Sequence, residues 1–264
     1  MSCLPVSFAD SFMPERLYLM KMLQFIARNT KAFSKEIISK KTGIPTGSSS
    51  GKVAPTIKYL KGMGLIEPVG NWYKLTEFGT VVLRNDAYFS ERITQIACHV
   101  NICNGNDGAI LYNQLFLSLI PGEKYDKKFF GKSVCPSQPP ITALVGMYLS
   151  SNSFGSSRIL IESGDYIVFN PCPCNYELLP LYGALVVQLF NKYFSDRGHV
   201  SVFEYLETTG FNKFLGWSMG DTLTMFNQLS GLGVIKIEAH VQPVVFSPIR
   251  DERKCWKNIY DYLV

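Results

Sequence analysis

A seven-residue segment occurs twice in this chain, and it limits the fold more than any other feature. Leu60-Lys61-Gly62-Met63-Gly64-Leu65-Ile66 is matched by Leu229-Ser230-Gly231-Leu232-Gly233-Val234-Ile235. In each copy a helical stretch runs into two glycines one residue apart and then into an apolar strand start, the signature of a sharp reversal from helix to hairpin. Upstream, Ser34 opens a short helix that closes at Thr42-Gly43, and Ser201 opens one that closes at Thr209-Gly210. The serines suit N-caps and the glycines suit C-caps. Cap and strand lie 32 residues apart in the first copy (34 to 66) and 34 in the second (201 to 235). Agreement of cap, glycine and strand in one order reads as an internal repeat.

The first copy is the more legible. Leu17, Met20, Leu23 and Phe25-Ile26 give an apolar stripe over Glu15 to Arg28, so a helix is expected there, followed by a second from Lys35 to Lys41. Ile44 to Gly51 is a small polar loop. A third helix is expected from Lys52 to Gly62, burying Val53, Ile57 and Leu60 and presenting Lys52, Thr56, Tyr59 and Lys61 outward. Leu65-Ile66 and Trp72 to Leu75 read as strands around the turn Pro68 to Asn71, and Thr76 caps a further helix through Arg84. Helix, helix, turn, helix, hairpin is the order of a winged helix-turn-helix, in which the third helix enters the DNA major groove and the hairpin forms the wing.

Charge supports that reading. The net charge is +5, but residues 1–85 hold 12 Lys and Arg against 5 Asp and Glu, whereas the remainder holds 14 against 16. A cationic N-terminal part on a near-neutral body is an electrostatic footprint for phosphates. The expected DNA contacts are Lys40, Lys41, Ser48, Ser49, Ser50, Lys52, Thr56, Lys58, Tyr59, Lys61 and, on the wing, Lys74. The lysines suit phosphates, while Ser49 and Thr56 are short polar groups suited to base edges. The third helix of the second copy, Trp217 to Leu229, carries Asp221 and no basic residue, so the first copy is expected to hold the DNA.

The expected class is mainly α with small β-hairpins (α+β): two winged helix-turn-helix domains, at 1–88 and 179–264, flank a helical middle region at 89–178 with its own hairpin. In that middle region Ser90 to Ile102, Gly108 to Leu119 and Gln138 to Leu149 look helical. Tyr125 to Phe130 looks like a loop, and Ile159 to Glu162 with Tyr166 to Phe169 forms a hairpin around Gly164-Asp165.

Several stretches together resemble a known family. Phe8-Ala9-Asp10-Ser11-Phe12 is followed by Arg16 and Leu19, then Phe33-Ser34, Val53 to Ile66, Tyr73-Lys74-Leu75-Thr76 with Gly79, and His99 beside Asn101. This order is similar to a prokaryotic winged-helix family of about this length and unassigned function. Its genes often lie beside phosphoadenosine-phosphosulfate-reductase-like genes and DNA-modification or defence genes. The resemblance runs nearly end to end and is strongest over 8–115. It implies a DNA-associated accessory protein. One departure is local: the family has a His-Glu pair before the Phe that matches Phe12, and Asp10-Ser11 stands here.

Enzymatic chemistry is not expected. His99, His199 and His240 are scattered, and no nucleophile–base spacing accompanies them. Gly47-Ser48-Ser49-Ser50-Gly51-Lys52 is too short for a phosphate loop, has Val53 where that loop needs Ser or Thr, and follows a helix rather than a strand. Cys98 with Cys103 and Cys172 with Cys174 lack the spacing of zinc knuckles, so neither metal nor cofactor is expected. Seven cysteines without a framework fit a reducing cytoplasm, and the absence of a long apolar run or a leader-like N-terminus fits a protein without a membrane anchor. The reading is therefore a cytoplasmic, non-enzymatic binder of double-stranded DNA. It is either a regulator or the recognition subunit of a modification or defence complex with protein partners, and a homodimer is compatible with it. The rival is a scaffold whose winged helices bind proteins.

Overall fold

The computed structural model describes residues 3–9, 12–47, 51–131, 141–238 and 243–261. It is an α+β protein with small antiparallel sheets, and it divides into two compact units, Met1–Asn170 and Pro171–Val264.

The first unit opens with an extended arm and helix α1 (Arg16–Ala27), which buries Leu19, Met22, Leu23 and Ile26. Helix α2 (Lys35–Thr42) starts where Ser34 Oγ accepts the Ile37 amide and stops at Gly43, whose φ of 70° only glycine adopts without strain. Helix α3 (Val53–Gly62) leads through Gly64, at φ 74°, into the hairpin β1 (Ile66–Val69) and β2 (Trp72–Leu75). Trp72 does not project from this hairpin: its indole Nε1 donates to Asn29 O at 2.9 Å, and its ring packs edge-on against Phe25 and Phe33. Helix α4 (Glu77–Asn85) begins at the Thr76 cap, where a side chain at Gly79 would strike Leu65 O at 1.9 Å.

Residues on both sides of position 88 pack together in this unit. Asp86 accepts from the Ser90 and Glu91 amides and from the Ser90 and Thr94 hydroxyls, fixing the start of helix α5 (Arg92–Cys103). Asn101 and Ile102 of α5 lie against Gly64 and Gly62. Helix α6 (Ile110–Ser118), strand β3 (Lys124–Asp126), helix α7 (Lys127–Gly131), helix α8 (Thr142–Leu149) and the hairpin β4 (Leu160–Ser163) and β5 (Tyr166–Phe169) follow. Tyr125 and Asp126 are therefore strand rather than loop, because they pair with Ile167 and Tyr166. The sheet order is β3-β5-β4.

The second unit has the long helix α9 (Leu179–Tyr193), strand β6 (Val200–Ser201), helices α10 (Val202–Thr209), α11 (Phe211–Leu215) and α12 (Met219–Gly231), and the hairpin β7 (Ile235–Glu238) and β8 (Val245–Pro248), ending in α13 (Glu252–Lys257). Its sheet order, β6-β8-β7, has the same connectivity as that of the middle region. In both, a short strand ahead of the helices joins the last strand of the hairpin. Ser201 and Gly210 bound α10 as Ser34 and Gly43 bound α2. The short helix α11 occupies the place of the first copy's Gly/Ser loop.

Candidate nucleic-acid interface

The lysines and polar groups assigned to the first third helix do not share one exposed face. At its start, the loop is drawn tight: the Lys52 amide donates to Pro45 O at 2.8 Å, and a Cβ at Gly51 would lie 2.6 Å from Gly47 O. Ser48, Ser49 and Ser50 fall outside the described residues. Lys52 is turned back into the unit. Its ammonium pairs with Glu15 and lies 4.9 Å from the Tyr18 ring centroid and 5.8 Å from that of Phe12. The Thr56 hydroxyl donates to Lys52 O at 2.6 Å, and the residue is 6% exposed.

Tyr59 is buried as well. Its hydroxyl donates to Phe12 O at 2.8 Å and accepts from Tyr112, its ring meets Phe8 edge-on at 4.9 Å, and burial pushes its phenol well above the usual range. The expectation that Thr56 and Tyr59 face outward is thus corrected. The N-terminal arm lies along that side of α3, while Ile57, expected inside, is half-buried. Nothing in the helical period of 53–62 announces this, because the covering segment is irregular and its Leu4 is held to Gly108 and Ile110 by backbone hydrogen bonds.

Of the remaining α3 cations, Lys58 is exposed but its ammonium donates to Phe8 O at 3.2 Å, and Lys61 is half-buried. On the β1–β2 hairpin, Lys74 pairs with Glu67 at 3.0 Å. Lys52 and Lys74 thus have carboxylate partners, whereas Lys58 and Lys61 make no ion pair among the described residues.

A larger group of cations without ion pairs lies on α1, on α2 and in the segment between them. Lys40 and Lys41, both expected contacts, are exposed, and so are Arg28, Lys31 and Lys35, with Lys21 half-buried among them. None of these six makes an ion pair among the described residues, although Lys41 lies 4.9 Å from the centroid of Phe33. Glu36 is the acid within α2. Hydrogen bonds from its own backbone amide and from Ser34, with the neighbouring Lys35, hold its carboxyl below the usual range. Lys21, Gln24, Arg28, Lys41 and Thr42 line a groove of about 530 Å³ between the two helices. Arg28, Lys31 and Lys35 were absent from the expected contacts. Their signal was present in the sequence as five cations between 28 and 41 against the single acid Glu36.

The equivalent helix of the second unit differs. Asp221 closes a capping box: its carboxylate accepts from Ser218 Oγ at 2.6 Å and from the Ser218 amide at 3.1 Å, which lowers its pKa. The outward side of α12 shows Met219, Leu223, Thr224 and Asn227.

The reactive side chains are used internally. His99 is fully buried in unit 1, with Nδ1 2.7 Å from the Tyr148 hydroxyl and 3.5 Å from Cys103 Sγ. Burial raises the Cys98 thiol well above its normal range. Cys172 and Cys174 belong to the other unit, His199 is exposed, and His240 lies outside the described residues. Among the described residues no three His, Cys, Asp or Glu side chains are grouped to hold a metal ion, and no helix is long and apolar enough to cross a membrane.

Comparison with protein-family models and with curated proteins returned no match. Two solved structures are similar across 100% of this chain and 88% of theirs, each at 12% identity: a magnesium ion-bound SspB, with a TM-score of 0.71, and SspB without that description, with a TM-score of 0.68. At that identity the likeness is one of fold.

Proposed function

We propose that this protein is a non-enzymatic, cytoplasmic DNA-binding accessory protein whose modules are winged helices. In this reading it serves as the DNA-recognition subunit of a prokaryotic modification or defence system, or as a regulator. The observation that carries the reading is the group of cations without ion pairs on α1, on α2 and between them: Lys21, Arg28, Lys31, Lys35, Lys40 and Lys41, with Glu36 as the acid among them. Cations that already have carboxylate partners have little charge to offer a polyanion. Exposed cations without partners displace condensed counterions when they meet phosphates. The winged-helix assignment is supported by the order α2, α3, hairpin in the first unit and α10, α12, hairpin in the second. The non-enzymatic assignment is supported by the use of Asp86 to hold Ser90, Glu91 and Thr94 at the start of α5 and of His99 as a buried partner of Tyr148.

The test is a duplex-binding titration at several salt concentrations. Exchanging Lys35 and Lys40 for Ala should weaken binding across unrelated sequences and reduce the slope of log K against log[salt] by about two units, since each lysine accounts for ~0.9. If wild type shows no salt-dependent duplex binding, the reading fails. A protein scaffold is then favoured by the exposed apolar side chains of unit 2, Phe203, Met219, Leu223 and Ile249, whose docking would be insensitive to salt.

A further inference from the structure

We infer that the groove between α1 and α2 is a binding site for a phosphate monoester, the terminal phosphate of a nucleotide or of a DNA end. This goes beyond duplex binding, which needs only protruding cations.

The geometry begins with spacing. Leu17, Lys21, Gln24 and Arg28 fall at i, i+4, i+7 and i+11 on α1, so they form one stripe on the side away from the buried Leu19, Met22, Leu23 and Ile26. Lys41, in the last turn of α2, brings a third cation to the same groove, and Phe25 lines its apolar part. A volume of about 530 Å³ is within the range of small-ligand sites, roughly 300–1,000 Å³. Gln24 adds an amide that no hydrogen bond uses within the described residues.

The charge balance selects the ligand. Arg28 is the C-cap of α1, and Lys41 is in the last turn of α2. Lys21 reaches the C-terminal end of α2, since a Cβ at Gly43 would stand 3.4 Å from its Nζ. Each helix C-terminus carries roughly half a negative charge, so two of them offset about one of the three positive charges and about two remain. Among the described residues no acid lines the groove, and Glu36 lies in the first turn of α2, at the other end of that helix. A backbone phosphodiester brings one negative charge. A phosphate monoester brings about 1.5–2 at neutral pH and three acceptor oxygens, which matches the residual charge and the donors of Lys21, Arg28 and Lys41.

The experiment uses the full chain and two pairs of probes. A nucleoside 5′-monophosphate is compared with its nucleoside, and a 5′-phosphorylated duplex oligonucleotide with its 5′-hydroxyl twin, by calorimetric titration at fixed salt. In at least one pair the phosphorylated member should bind about tenfold more tightly. That preference should vanish in K21A/R28A, and in R28Q/K41Q as a second variant in case the first does not fold. Preference in the nucleotide pair alone identifies a free nucleotide as the ligand, and preference in the oligonucleotide pair identifies a DNA end. Equal binding within both pairs, or an undiminished preference in a folded variant, overturns the inference. Duplex affinity that still depends on Lys35 and Lys40 in that case leaves the proposed function standing.

Discussion

Helices α3 and α12 end in the same Gly-x-Gly reversal and lead into the same kind of hairpin, yet they face different surroundings. On α12 the buried residues are Thr222, Met225, Phe226 and Leu229, one stripe at i, i+3, i+4 and i+7, and the opposite side is open. On α3, Val53, Pro55, Thr56, Tyr59, Leu60 and Gly62 are all buried, so two sides are covered. One extra cover is the N-terminal arm, through Phe8 and Phe12; the other is α5, whose Ile102 lies against Gly62. Composition points the opposite way, since α3 has the lysines and α12 has Asp221. A helix's charge therefore does not decide which of its sides stay open. The segment that packs on it does, and here that segment is irregular chain.

The largest break in this contrast should come from Tyr59. If the arm and α3 form one core through it, Tyr59→Ala should destabilise unit 1 by about 3–5 kcal/mol, the range for truncating a large buried aromatic. It also removes the donor to Phe12 O. Leu223→Ala on the open side of α12 should cost well under that, within about 1 kcal/mol. Both are read by chemical denaturation. A cost for Tyr59→Ala as small as for Leu223→Ala would mean that the arm does not hold α3.

A smaller effect, with a sharper reading, comes from Lys52. Its pairing with Glu15 and its position over Tyr18 and Phe12 are together worth on the order of 1–2 kcal/mol. Lys52→Met keeps the apolar stem and removes the charge. It should lower stability by about that amount and leave the salt slope of duplex binding unchanged. The sequence reading, with Lys52 on a phosphate, expects the slope to fall by about one unit. The titration separates the two outright.

What was legible in the sequence was local. Ser34 and Gly43, and their counterparts Ser201 and Gly210, marked helix ends because capping and positive φ are decided within a few residues. The hairpin over Ile159 to Phe169 was readable from its alternation around Gly164-Asp165. Strand β3 was missed because three residues are too few to show a period, and its identity comes from pairing with β5 more than 40 residues away. The outward face of α3 was misread for a related reason: no pattern in 53–62 records what Leu4, Phe8 and Phe12 of the arm do. At the candidate site, Lys40 and Lys41 were found from charge, whereas Lys21 was missed because its role depends on α1 and α2 lying side by side.

The smallest expected effect tests the other half of the comparison, that Asp221 serves α12 rather than opposing DNA. Its carboxyl is held below its ordinary value of 3.8 by the hydrogen bonds from the Ser218 side chain and backbone. A group whose folded pKa is depressed contributes stability above its unfolded pKa and loses it as pH falls through the lower folded value. Asp221→Asn lacks the charge at every pH. The variant should therefore unfold slightly more easily than wild type at neutral pH, and the gap should close as pH falls through the lowered folded value, where wild type becomes protonated too. Thermal unfolding of both proteins across that range measures it, and duplex affinity measured in parallel should not differ. If the gap stays constant to low pH, the carboxylate charge is not what caps α12. If duplex affinity rises in the variant, Asp221 faces the nucleic acid after all, and the open side of α12 joins the DNA-binding surface.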